Sequence, residues 1–148
     1  MGFQLRKIGY FLTMSILLWT MTAAAAGTSP PVQVRDPWVR PASRAMNTAL
    51  YLTLRNTGET ADALVGARSA VARAVELHES RMEGYIMRMR PVSRLPIPAG
   101  GQVTLKPGGF HIMLIDLQQD LQPGDTVTVE LRFEKSAPLT ITVPVRQP

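Results

Sequence analysis

Two histidines, His78 and His111, and five methionines, Met46, Met82, Met87, Met89 and Met113, are the side chains beyond residue 26 that could hold a soft metal ion. The sequence has no cysteine, so such an ion would be held by imidazole nitrogen and thioether sulfur without thiolate. The stretch "GGFHIML", residues 108–114, sets His111 and Met113 two positions apart in an apolar run. In a β-strand residues i and i+2 share a face, so His111 and Met113 point one way and Phe110, Ile112 and Leu114 the other. By the same rule Met87 and Met89 share a face, opposite Ile86, Arg88 and Arg90. Packing explains each of these residues separately: methionine fills irregular gaps in cores, and a histidine among apolar residues is often a hydrogen-bonded structural group. Strand geometry alone leaves both readings open.

The elements that must position these side chains are strands. Short β-rich stretches run along the chain: "VQVRDPWVR", "TALYLTLRN", "DALVGARS", "RAVELHE", "YIMRMRPV", "GQVTLK", "FHIMLIDL", "TVTVELRF" and "LTITVPV". Between them lie "NTGET", "ESRMEG", "PIPAGG", "KPGG", "QPGD" and "EKSAP", rich in residues that set turn dihedrals. Val127, Val129, Leu131 and Phe133 alternate with Thr126, Thr128, Glu130 and Arg132, and Leu50, Leu52 and Leu54 alternate with Tyr51, Thr53 and Arg55. Such period-two patterning predicts one core face and one wet face per strand. About nine strands at this spacing predict an all-β Greek-key sandwich or barrel. Trp38 and Phe110 read as core aromatics, Gly108–Gly109 as a turn, and "ARSAVARAVEL" as a stretch that could hold a short helical turn.

The first 26 residues carry a different signal. Arg6 and Lys7 precede an uncharged run from Ile8, which ends in Ala23–Ala26. This is the layout of a secretory signal peptide (1–26) cut near Ala25 or Ala26; an uncleaved membrane anchor is the alternative reading. Residues 27–148 are then a single exported domain, periplasmic and without membrane insertion. No cysteine is present to carry a lipoprotein anchor. Without Arg6 and Lys7 the formal charge falls from +5 to +3. Lysines and arginines are scattered and not interleaved with aromatics, which argues against a nucleic-acid partner.

His78 is followed by ten residues and Met89, and Met89 by twenty-one residues and His111-x-Met113. This His-x10-Met-x21-His-x-Met spacing resembles the signature of the periplasmic copper chaperone family PCu(A)C (DUF461-like). The surrounding "VELHES", "MRMRPV", "LPIPAGGQVTLKPGGFHIML" and "GDTVTVELRF" are similar to that family as well, and the likeness covers residues 32–146. The resemblance implies a cupredoxin-like fold and one Cu(I) bound by His78, Met89, His111 and Met113. Met82 and Met87 fall outside the four-residue pattern and read as accessory or packing, Met87 being the nearer neighbour because it shares a face with Met89. Some members of the family carry a His- and Met-rich tail that adds copper capacity; this sequence ends in "TVPVRQP".

The donor set suits the implied ion. Cu(I) is soft and prefers sulfur and imidazole, whereas Ca(II) and Mg(II) prefer oxygen. Only the histidines have a proton to lose, so affinity should drop in acid. The resemblance further implies a non-enzymatic carrier that passes Cu(I) by ligand exchange to the CuA centre of cytochrome c oxidase subunit II, directly or through Sco-type thiol proteins. A periplasmic copper buffer without a dedicated acceptor, and a structural sandwich that binds no metal, are the alternatives. Catalysis is not expected: a triad needs a base histidine, and both are claimed by the motif. A blue-copper electron-transfer site needs a cysteine ligand.

Overall fold

Alternation of apolar and polar residues builds the central strands. The protein is described here by a computed structural model covering residues 30–148; the reading of residues 1–26 as an export signal lies outside the described residues. Ten strands are present: β1 (Val32–Val39), β2 (Thr48–Asn56), β3 (Asp62–Arg68), β4 (Ala72–Glu83), β5 (Ile86–Pro91), β6 (Leu95–Ile97), β7 (Gln102–Leu105), β8 (Phe110–Leu117), β9 (Thr126–Phe133) and β10 (Leu139–Pro144). No helix occurs among the described residues. The larger sheet runs β1-β2-β8-β4-β5, with β7 also paired to β2, and the smaller runs β10-β9-β3-β6, all antiparallel. The two sheets make the all-β, cupredoxin-like sandwich. A single parallel bridge, Val39 to Val145, ties one edge of each sheet to the other.

The core fills the space between the sheets. Leu50, Leu52 and Leu54 of β2, Ile112 and Leu114 of β8, and Val127, Val129 and Leu131 of β9 are all essentially inaccessible, as their alternation predicts. Phe110 is half-buried against this cluster.

Four features differ from the sequence reading. The "LPI" stretch is a strand, β6, at the edge of the smaller sheet, where a proline costs no ladder hydrogen bond. No helical turn precedes β4; a turn at Ala70–Val71 leads straight into it. β4 continues through "ESRMEG" to Glu83 and meets β5 across the two-residue turn Gly84–Tyr85. Gly84 has φ 65° and Tyr85 is not in the left-handed region, the pattern of a type II′ hairpin turn, whose twist matches that of its flanking strands. Finally, Trp38 is not a core residue. One extra residue in β1 between Arg35 and Trp38, with Asp36 at φ 48°, makes a β-bulge that reverses the parity of the strand. Val32 faces the core before the bulge and Val39 after it, which turns Trp38 to the outer face of the larger sheet.

Candidate metal centre

Antiparallel pairing of β4 with β8 places His78 directly across from His111, and Glu76 across from Met113. The alternating pairs, Val75 with Leu114 and Leu77 with Ile112, face the core. On the far side of β4, β5 sets Met89 across from Ser80 and Met87 across from Met82. Directly opposed residues share a face of the sheet, so the outer face collects all four residues of the spacing motif. The two imidazole centroids are 5.8 Å apart, in an edge-on arrangement of 61°. Met87, Met89, His111 and Met113 line one open cavity of about 310 Å³, together with Tyr51 and Gly108. His78 does not line the cavity; it joins the group through its contact with His111.

Hydrogen bonding fixes which nitrogen of each ring is free. His78 Nε2 lies 2.9 Å from Glu76 Oε2. An ionised carboxylate can only accept, so Nε2 carries the proton and Nδ1 keeps its lone pair. That Nδ1 is buried and has no hydrogen-bond partner. His111 Nδ1 donates to the Gly109 carbonyl at 3.1 Å, which leaves the lone pair on Nε2. Orientation of a histidine by a carboxylate or a backbone carbonyl on its other nitrogen is the usual support of a metal-binding imidazole. Buried acceptors without partners are uncommon and costly. Two imidazoles, each oriented through one ring nitrogen and leaving the other without a partner, therefore fit a soft cation well beside thioethers.

Further residues support the two histidines. Glu76 is the orienting carboxylate, and its signal was in the text: E-x-H puts it on the same strand face as His78. The Gly108–Gly109 turn, with Gly108 at φ 80°, sends the Gly109 carbonyl to both His111 Nδ1 and the Ser80 amide. Tyr51, assigned to the wet face, is only 6% exposed. It is covered by Trp38, with centroids 4.7 Å apart, and lies 6.4 Å from the His111 ring. These aromatics wall the site on the β2 side. Met46 is exposed and is not among the cavity's lining residues.

The opposite face of the β4–β5 hairpin is ionic. Glu79 is held by Arg81 at 2.9 Å and Arg90 at 3.0 Å, and Arg88 pairs with Glu83 at 2.8 Å. The Arg81 hydrogen bond, with help from Arg90, keeps the Glu79 carboxyl below the ordinary carboxylate range. The hairpin thus has a charged side that fastens it and a methionine side that serves the cavity.

Burial lowers the His111 pKa below its ordinary value of 6.5; the Gly109 hydrogen bond opposes this and the His78 charge adds to it. In the unfolded chain His111 takes up a proton near pH 6.5, while in the fold it resists. Between those two values the unfolded state binds more protons, so stability falls as pH drops through the window. We expect the urea midpoint of the metal-free protein to decrease on acidification below about pH 6.5, and His111→Gln to flatten that slope.

Comparison with known proteins places this architecture. The LpqE-like family, described as "Putative lipoprotein LpqE-like", matches residues 32–145. The chain belongs to the LpqE-like family. A relative from Leifsonia xyli subsp. xyli, named "Putative lipoprotein Lxx21020", is 38% identical over 116 residues, covering 78% of this chain and 69% of its own length. Among solved structures, the copper-bound PCuAC domain from PmoF2 superposes with a TM-score of 0.68 at 28% identity, covering 80% of this chain and 94% of that one. The solution structure of CuI-DR1885 from Deinococcus radiodurans gives 0.65 at 32% identity, covering 82% and 83%. The PCu(A)C resemblance of the sequence is thus matched in three dimensions.

Proposed function

We propose that this LpqE-like protein is an exported, non-enzymatic Cu(I) carrier of the periplasm, with His78, Met89, His111 and Met113 as the ligands. The observation that carries the reading is the unpartnered Nδ1 of His78, a buried lone pair set beside His111, whose neighbours Met89 and Met113 supply soft sulfur. The similar copper-bound PCuAC domain from PmoF2 and CuI-DR1885 support it. All four donors are neutral, so the bound ion keeps its single positive charge and is held less firmly than by thiolates. Moderate affinity suits a protein that must release what it carries. Met89 is 59% exposed while His111 is 3% exposed, so an incoming donor meets sulfur first and nitrogen last.

The proposed acceptor is the CuA centre of cytochrome c oxidase subunit II, reached directly or through Sco-type thiol proteins. Two measurements test this function. Competition with a chromogenic chelator should show one Cu(I) per chain. A strain lacking the protein should lose oxidase activity at low copper; copper sensitivity with normal oxidase activity would instead mark a buffer.

Glu76→Gln should weaken Cu(I) binding by about tenfold, within the range for losing a supporting carboxylate behind a metal-bound histidine. Chelator competition at fixed pH measures it, and an unchanged affinity would remove Glu76 from the site.

A further inference from the structure

The β4–β5 hairpin carries more sulfur than the four-ligand site uses. Met82 and Met87 are a directly opposed cross-strand pair, and Met89 follows Met87 by two residues on the same face. Opposed Cβ atoms lie about 4.5–5.5 Å apart, and each thioether sits on a flexible, unbranched side chain. All three remain exposed, at 60%, 48% and 59%. Apolar side chains of this size usually bury themselves, and the hairpin's other face is already occupied by its arginine and glutamate pairs. Met87 and Met89 also line the cavity that holds His111 and Met113, and Met82 lies directly across from Met87, so the methionine face leads from the hairpin tip to the cavity.

We propose that Met82, Met87 and Met89 form an outer Cu(I) subsite of three thioethers, through which the ion enters and leaves the four-ligand centre. The proposal rests on the carrier reading above. Met89 belongs to both sets, so the two are alternative positions for one ion and the capacity stays at one per chain. Inward movement breaks the copper–sulfur bonds to Met82 and Met87. It forms bonds to His78 Nδ1, His111 Nε2 and the Met113 sulfur. No proton or electron is transferred, because thioethers are unprotonated and both imidazoles already present free lone pairs.

Ag(I), a soft monovalent stand-in that does not change oxidation state, tests the subsite in a His78→Gln/His111→Gln variant followed through its methionine methyl NMR signals. The Met82, Met87 and Met89 methyls should shift together on one binding curve, and adding Met82→Leu and Met87→Leu should weaken that curve by about tenfold or more. Methyls of Met82 and Met87 that stay fixed while Met89 moves would overturn the proposal. Should the glutamine variant not fold, the M82L/M87L protein with both histidines intact decides. Its uptake of Cu(I), and its release of Cu(I) to a chelator, should each slow by about tenfold in stopped flow. A parent that takes up no Cu(I) overturns the carrier reading and this subsite with it. A parent that binds Cu(I), and whose M82L/M87L variant exchanges at the parental rate, overturns the subsite alone.

Discussion

His111→Ala should lower Cu(I) affinity by more than about a hundredfold if His111 is a ligand as proposed, beyond the 10–100-fold typical of losing a mere support behind a ligand. The loss has two parts. The Nε2 lone pair disappears, and so does the ring that stands edge-on against His78. Met113→Ala should fall in the same direction with a smaller loss, because Met87, which is outside the four-ligand set, lines the same cavity and can partly replace its sulfur. Chelator competition reads both variants, and circular dichroism verifies that each is folded. Parental affinity in both would remove β8 from the metal site.

One residue along the strand, the effect changes kind. Ile112 faces the core with no exposed surface, beside Leu114 and across from Leu77. Ile112→Ala should reduce unfolding free energy by about 2–5 kcal/mol, the cost of lost apolar burial plus a cavity the neighbours only partly close. Chemical denaturation measures it. Cu(I) affinity of the fraction that remains folded should stay near that of the parent, since Ile112 contributes nothing to the outer face. A large affinity loss with little destabilisation would contradict the two-faced description of β8.

How far the sequence discloses this arrangement depends on what its pattern encodes. β2 and β9 alternate along their length and β8 does so from Phe110 to Leu114, so these core faces could be read residue by residue. Parity fails where the backbone breaks it: the bulge at Asp36 carries Trp38 to the outer face, and no hydropathy pattern announces that extra residue. Alternation also assigns a face without saying what covers it. By alternation Tyr51 reads as a wet-side residue, although Trp38 shields it. The far half of β4 carries no strand pattern in its hydropathy, because Ser80, Arg81, Met82 and Glu83 alternate between methionine-side and charged-side positions, both partly polar. The four motif residues were legible from spacing and family likeness, and the pairing register brings them to one face. What spacing could not supply was the register itself, His78 against His111, which depends on strands distant in sequence becoming neighbours; the carboxylate behind His78 is local, two residues earlier on the same strand.

X-ray absorption of the protein loaded with one equivalent of Cu(I) tests the central claim most directly. The account predicts a first shell containing sulfur and imidazole nitrogen together, with the nitrogen contribution lost in a His78→Ala/His111→Ala variant. A shell of oxygen and nitrogen without sulfur, or one that the histidine substitutions leave unchanged, would contradict it.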